Sequence, residues 1–235
     1  MSNPTPPANI RPLSSHLTKA GFAKIANVPR ETMARLEAYV FLLEQWNRRI
    51  NLVGANTMGD IWRRHILDSA QLFPLFPEKT RVVADLGSGA GLPGLVLAIM
   101  GPELQLHLIE SDQRKAAFLR EAKRVTEAAN VTVHALRAEK TPSFKANVVV
   151  ARAVAPLQQL LYIAEPFLTS ASQCLFLKGK AAEAELIEAR KTWRMTAETL
   201  QSRADPDGCV LRLADVSRET PAQSGPESGG SRHGH

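Results

Sequence analysis

Cysteine is scarce in this chain: two residues in 235, Cys174 and Cys209. Two thiols so far apart in sequence supply neither a disulfide framework nor a metal cluster, so no metal is expected. Long hydrophobic runs are missing too; none approaches the roughly 18 residues of a membrane span, so no membrane partner is expected. The opening segment Met1-Ser2-Asn3-Pro4-Thr5-Pro6-Pro7 has neither a basic flank nor an apolar stretch. No signal peptide is therefore expected, and the cytoplasm is the expected compartment. No internal repeat is visible. What remains is a chain that is 44% hydrophobic, long enough for one substantial domain plus a small addition.

Charge is unevenly placed. Residues 1–81 hold 11 Lys and Arg against 6 Asp and Glu, whereas residues 82–235 hold 18 against 17. Nearly all of the net charge of +6 thus lies in the first third. Such asymmetry points to an anionic partner, most simply nucleic acid. Charge spread over solvated helix faces is the plainer alternative.

Residues 1–27 are expected to be a flexible segment and 28–78 a helical extension. Met33, Leu36, Val40, Leu43 and Ile50 recur at helical spacing behind Pro29, with Trp46 near the same stripe. A second helix is expected from Thr57, carrying Ile61, His65 and Leu72 inward until Pro74 and Pro77. From 79 to 216 strands alternate with helices. Strands are expected at 82–85, 105–110, 131–136, 147–152 and 174–177, with helices after Pro93, Ser111-Asp112 and Pro156 and over 181–193. Residues 199–203 and 209–213 flank Asp205-Pro206-Asp207-Gly208, a turn signal that predicts a closing hairpin. Residues 217–235 are rich in Gly, Ser and Pro and are expected to be a disordered tail. The alternation predicts an α/β fold with a doubly wound, mostly parallel sheet, an antiparallel last strand and the ligand beyond the strand carboxyl ends.

The most telling stretch is Val82-Val83-Ala84-Asp85-Leu86-Gly87-Ser88-Gly89-Ala90-Gly91-Leu92-Pro93-Gly94, followed by Glu110 after a second apolar run. Glycines let the chain turn sharply and approach a ligand closely, and a carboxylate after the second strand can accept both hydroxyls of a ribose. Gly89 to Gly94 fit the dinucleotide pattern G-x-G-x-x-G. Asp85 argues against a dinucleotide, because a carboxylate there repels a pyrophosphate and suits an ammonium group. The pattern D-x-G-x-G-x-G with a later acid instead resembles the S-adenosylmethionine site of class I methyltransferases. A glycine turn with no ligand is the plain alternative.

A wider resemblance runs through the chain. Trp46-Asn47-Arg48-Arg49-Ile50-Asn51-Leu52, Arg64-His65-Ile66-Leu67-Asp68-Ser69, the glycine stretch, Arg137-Ala138-Glu139, Arg152-Ala153-Val154-Ala155 and Leu177-Lys178-Gly179-Lys180 occur in this order. Together they resemble the bacterial small-subunit ribosomal RNA guanine-N7 methyltransferases, also called glucose-inhibited division protein B, over about residues 20–215. The resemblance implies a class I methyltransferase fold, S-adenosylmethionine as cofactor and N7 of a guanine in the decoding-region loop of 16S rRNA as target, within free rRNA or the small subunit. It implies cofactor contacts at Gly87, Leu92, Ala138, Glu139 and Arg152. Ala90 stands where many members have Pro, and a small residue suits that turn.

Asp85, Gly89, Gly91 and Glu110 complete the expected cofactor set. Guanine N7 has a free in-plane lone pair and no proton to lose, so Arg152 and Lys178 are expected only to position reactants, with no general base. An exocyclic-amine enzyme usually carries an Asp/Asn-Pro-Pro-aromatic motif after the fourth strand, where this chain has Val150-Ala151-Arg152-Ala153. Pyrimidine C5 chemistry needs a cysteine nucleophile, whereas Cys174 and Cys209 read as packing residues. Arg152 can grip a cofactor carboxylate or RNA phosphate, or pair with Glu139 or Asp85. Arg48, Arg49, Arg63, Arg64, Lys178 and Lys180 are the expected RNA contacts, with ordinary surface or strand-end roles as the alternative. His65 and Asp68 suggest a structural hydrogen bond or an RNA contact, Asn51 a loop support, and Trp46 and Trp62 packing. A monomer is expected. A methyltransferase for another substrate, a dinucleotide oxidoreductase and a non-catalytic rRNA-binding assembly factor are the competing readings.

Overall fold

The computed structural model describes residues 16–219. Its centre is a seven-stranded sheet of β1 (Val82–Leu86), β2 (Gln105–Ile109), β3 (Val131–His134), β4 (Val148–Arg152), β5 (Gln173–Lys178), β6 (Trp193–Gln201) and β7 (Cys209–Arg218). The order is β3-β2-β1-β4-β5-β7-β6. Strands β1 to β5 pair in parallel, and β7 pairs antiparallel with both β5 and β6. Val148-Val149-Val150 lies at the centre of this sheet and is wholly buried, as a strand covered on both faces requires. The chain runs outward from β1 to β3 and then returns to β4 on the other side of β1. The carboxyl ends of β1 and β4 therefore flank the switch point, where ligands bind in such sheets.

Helices α1 (Lys19–Ala26), α2 (Arg30–Asn47), α3 (Asp68–Ala70), α4 (Gly94–Met100), α5 (Gln113–Val125), α6 (Leu157–Ala164) and α7 (Ala182–Ala189) complete the fold. One apolar cluster joins Leu36 and Leu43 of α2 with Leu95 of α4, Phe118 of α5 and Val150 of β4. A second joins Leu157 and Leu161 of α6 and Ala182 of α7 to Val149 and Phe176. The N-terminal helices thus share the core of one sheet face: Tyr39 packs tilted and Trp46 edge-on against Phe118, with ring centroids 6.4 and 5.6 Å apart. Among the described residues no helix is long and apolar enough to cross a membrane.

Several expected boundaries move. Residues 19–26, placed in the flexible segment, form α1. Thr18 caps it through the Gly21 N–H, and buried Phe22 packs on Trp62 at 5.6 Å. Residues 1–15 of that segment lie outside the described residues. The helix expected from Thr57 begins as a 3₁₀ turn, Ala55–Asp60, and continues as a π-wound turn, Trp62–Leu67, into α3. Gly59 adds no helical preference there, while Ile61, His65 and Leu72 are buried as expected. The helix expected over 181–193 stops at Ala189, and Trp193 opens β6. Burial of that indole beside Tyr162 and under Arg218 outweighs continuation of the helix. The hairpin is longer than expected on both sides. Ser217 and Arg218, assigned to the tail, belong to β7, and residues beyond 219 lie outside the described residues.

The helix α1 is testable as part of the core. Phe22→Ala should cost about 3–5 kcal/mol, the usual range for emptying a buried aromatic site, read as a lower urea midpoint. A loss below about 0.5 kcal/mol, typical of surface changes, would mean that α1 contributes nothing to the fold.

Candidate functional site

The site starts with a buried carboxylate. Asp85, near the end of β1, is fully buried, and its Oδ2 accepts the Gly94 N–H at 3.0 Å. A Cβ on Gly94 would lie 2.5 Å from that same oxygen, so only glycine admits this contact. The other oxygen, Oδ1, has no hydrogen-bond partner among the described residues. Burial raises the Asp85 carboxyl to about 7, against the pull of hydrogen bonds and of Arg152. Glu110 follows β2 on the neighbouring strand. Its Oε2 accepts the Gly89 N–H at 2.8 Å and its Oε1 accepts the Asp112 N–H at 2.7 Å. Two acids on adjacent strands thereby hold the two ends of one loop.

The loop glycines have distinct reasons. Gly87, Gly89 and Gly91 have φ of 63°, 54° and 84°, the left-handed region that L side chains avoid. All three make the sharp turn that was expected, but the surroundings of their Cβ positions differ. At Gly87 a Cβ would meet Val154 at 2.8 Å, and at Gly91 it would meet Leu95 at 2.9 Å. At Gly89 the nearest atom is the Gly87 carbonyl oxygen at 3.8 Å, so Gly89 alone of the three has room for a Cβ at ordinary contact distance. Leu92 is buried. Ala138 is half-buried and Glu139 exposed, in a short turn beyond β3. All of these residues sit on the carboxyl-end side of the sheet, as expected.

Tyr39 was not foreseen. Its buried hydroxyl donates to the Ala90 carbonyl at 2.6 Å, so α2 pins the tip of the glycine loop. A lone hydroxyl within an apolar helical stripe was the available signal. Asn47 was also missed. Its Oδ1 accepts the N–H groups of Leu52 and Val53, the loop support assigned to Asn51, which is exposed.

Beyond the ends of β4 and β5 lies a cavity of about 610 Å³. Its wall includes His65, Asp68, Arg152, Val154, Lys178 and Asp205. Val154 also lies against Gly87, so loop and cavity share one wall. Arg152 Nη1 reaches His65 Nδ1 at 3.0 Å, the Arg64 carbonyl oxygen at 3.3 Å and Asp68 Oδ2 at 3.4 Å. The ion pair with Glu139 or Asp85, the alternative reading, gives way to one with Asp68, the first residue of α3, which meets Arg152 at the end of β4. Burial, with help from Arg152 and Arg64, lowers His65 to about 3. Burial pushes the Asp68 carboxyl up, against Arg152.

The expected RNA contacts divide. Arg63 is half-buried and binds Asp60 and the Ala204 carbonyl. Arg64 pairs with Asp205 at 2.9 Å. Lys178 is only 8% exposed and donates to Glu185 and to the Ala155 carbonyl at 2.7 and 2.6 Å. Arg63 and Arg64 thus tie the extension to the β6–β7 turn, and Lys178 ties β5 to the loop after β4 and to α7. Lys180 is 77% exposed and pairs with Asp207 at 3.2 Å. Arg48 and Arg49 are exposed, and Arg49 shares a hollow of about 210 Å³ with Arg114 and Lys115. Cys174 is buried; Cys209 is half-buried on the cavity wall, and burial raises both thiols.

Residues 32–205 match the family described as rRNA small subunit methyltransferase G. A ribosomal RNA small subunit methyltransferase G of Rhodospirillum rubrum is 53% identical over 86% of this chain and all of its own length. One from Gluconobacter oxydans is 48% identical over 83% of this chain and 99% of its own. Among solved structures, a SAM-dependent methyltransferase from Aquifex aeolicus superposes with a TM-score of 0.52 at 14% identity, over 66% of this chain and 92% of its own. That likeness concerns the fold.

Asp85 supplies a pH test. An ordinary Asp titrates at 3.8, and this one at about 7 when folded. Stability from the neutral carboxyl is full below about 3.8 and is lost as pH rises through about 7. Asp85→Asn cannot ionise, so its melting temperature should gain on the wild type as pH rises across that window. A constant gap between the two curves would contradict the assigned titration.

Proposed function

The chain belongs to the rRNA small subunit methyltransferase G family, and from that premise we propose that it transfers a methyl group from S-adenosylmethionine to N7 of a guanine in the decoding-region loop of 16S rRNA. One observation carries the reading within the structure: two acids grip a glycine loop at the ends of β1 and β2, beside a cavity at the ends of β4 and β5.

The residues present fit the cofactor. The buried, unpartnered Asp85 Oδ1 suits an ammonium group, and Glu110 beside Gly89 suits a ribose. Gly87, Gly89, Gly91 and Leu92 would shape the floor, with Ala138 and Glu139 beyond β3. When bound, S-adenosylmethionine supplies a methyl group made electrophilic by its sulfonium. The chain then has to align the target base and keep its N7 lone pair free. No proton need be removed. Lys178 and Glu185 are committed to each other and to the loop after β4, so neither stands ready as a base. Lys178 accordingly braces the cavity wall, and Arg152 meets an anionic group in the cavity. Cys209 has its thiol pushed up by burial, which disfavours the thiolate that C5 chemistry requires.

RNA engages the exposed cations. Arg48 and Arg49 of the extension face solvent, and the hollow of Arg49, Arg114 and Lys115 adjoins Asp112, whose N–H binds Glu110. Backbone phosphates can therefore dock beside the cofactor side of the sheet while the base enters the cavity.

Labelled methyl transfer to isolated small subunits, deproteinised 16S rRNA and total protein tests the activity, with the modified nucleotide identified by mass. The expected product is 7-methylguanosine in rRNA. Label in protein, in another nucleotide or nowhere would reject the reading. Cys209→Ser should retain transfer; its abolition would favour a cysteine nucleophile.

The RNA surface is tested separately. Arg48→Gln with Arg49→Gln should weaken RNA binding and flatten the log–log salt slope by about 0.7–0.9 for each phosphate that is no longer neutralised. Arg63→Gln with Arg64→Gln should instead mainly lower the melting temperature. An unchanged slope in the first pair would move the RNA surface elsewhere.

A further inference from the structure

His65 connects the helical extension to Arg152, and its protonation pattern can be read from its neighbours. Thr57 Oγ1 lies 2.6 Å from the Gly54 carbonyl oxygen and donates its single proton there. Toward His65 Nε2, at 2.7 Å, the hydroxyl must then accept, so Nε2 carries a proton. On the other side Arg152 Nη1 lies 3.0 Å from His65 Nδ1. A guanidinium only donates, so Nδ1 presents its lone pair. The ring is a neutral Nε2–H tautomer, held between a hydroxyl and an arginine.

Arg152 is held at one corner. Its three protein contacts, to His65, Arg64 and Asp68, all use Nη1. Among the described residues Nη2 and Nε have no partner. The side chain is 19% exposed and forms part of the cavity wall. Three donors, two on Nη2 and one on Nε, therefore remain for an oxyanion, and a guanidinium edge matches two oxygens at once.

We propose that His65 is a positioning residue for methyl transfer: its Nδ1 lone pair, fixed by Thr57 on the far side of the ring, anchors Arg152 Nη1 and leaves the other guanidinium N–H groups to bind an oxyanion in the cavity. The proposal rests on the methyltransferase reading. The oxyanion is either the carboxylate of the cofactor or a phosphate of the RNA. Asp68 alone does not suffice as an anchor, because its contact is the longest of the three and its other oxygen, Oδ1, takes the Gln71 amide at 2.9 Å.

The test uses the full chain and the variants His65→Leu, His65→Asn and Thr57→Val, with kcat, both KM values, melting temperature and calorimetric affinity for S-adenosylmethionine. A small misplacement of a binding group costs up to about 100-fold, so His65→Leu should lower kcat/KM by about 10- to 100-fold with the melting temperature little changed. His65→Asn offers an amide oxygen near the place of Nδ1 and should recover most of that loss. In an Arg152→Lys background His65→Leu should add little, since the two residues act as one unit. A rise confined to cofactor KM and dissociation constant identifies the carboxylate; a rise confined to RNA KM identifies the phosphate. Nitrogen NMR of labelled histidine should report the Nε2–H tautomer in the wild type and a weakened preference for it in Thr57→Val, where the ring keeps only its Arg152 contact.

An imidazolium or an Nδ1–H ring in the wild type would overturn the proposal. So would wild-type kinetics in His65→Leu, an equal loss in His65→Asn, or a full additional loss in the Arg152→Lys background. Absence of any methyl transfer to rRNA by the wild type would instead remove the functional reading on which the proposal rests, and the NMR result would stand apart from it.

Discussion

The hydrogen bond from Gly94 to Asp85 is the contact on which the site depends. It turns the chain from β1 into α4 around a buried carboxylate, at a spacing that a side chain on residue 94 would forbid. Once that turn is made, residues 87–91 project beyond the sheet. Gly89 then meets Glu110, Ala90 meets Tyr39, and Gly87 meets Val154. Neighbouring strand, helical extension and cavity wall are each tied to one loop. Burying a carboxylate is costly, and the raised titration of Asp85 is the visible sign of that cost. A cationic ligand group would offset it, which gives the costly arrangement a use.

Much of this was legible in the sequence, for physical reasons. The β-branched runs before Asp85 and over Val148–Val150 can be little else than buried parallel strands. The glycine and acid spacing put Asp85, the loop glycines and Glu110 at strand carboxyl ends, where the structure has them, because strand ends in a doubly wound sheet leave few alternatives. Long-range partners were not legible. Arg152 binds residues more than 80 positions earlier, and nothing local marks Asp68 rather than Asp85 or Glu139 as its counter-ion. Arg63 and Arg64 looked like a phosphate patch because their charge is visible in sequence and their acceptors, the Ala204 carbonyl and Asp205, are not. Trp193 misled in the same way. Its local neighbours continue a helix, and its burial is decided by Tyr162 and Arg218.

The helical extension is accordingly more than a basic handle. It closes the apolar core over α4 and α5, pins the glycine loop through Tyr39, and supplies both His65 and Asp68 to Arg152. Cations that face the cavity are already paired, while Arg48 and Arg49 just after α2 and Arg114 at the start of α5 are exposed. Paired cations keep fixed geometry inside a low-dielectric wall, where Coulomb interactions are strong. Exposed ones are screened and mobile, which suits long-range attraction of a polyanion more than orientation of a reactant. One stretch of basic sequence thus divides into two physical roles according to burial.

That division bears on the chemistry. A reaction that removes a proton needs a group with an available lone pair near the reacting atom. At this cavity the Nδ1 lone pair of His65 is turned toward Arg152. Lys178 is ion-paired with Glu185, and the same Glu185 oxygen also accepts the Leu157 N–H. The Cys209 thiol is shifted away from its thiolate. These three candidates for base or nucleophile are therefore already engaged or disfavoured. A site organised in this way gains rigidity at the expense of acid–base capacity. That fits the proposed transfer to a nitrogen that already carries a free lone pair, in which alignment supplies most of the rate.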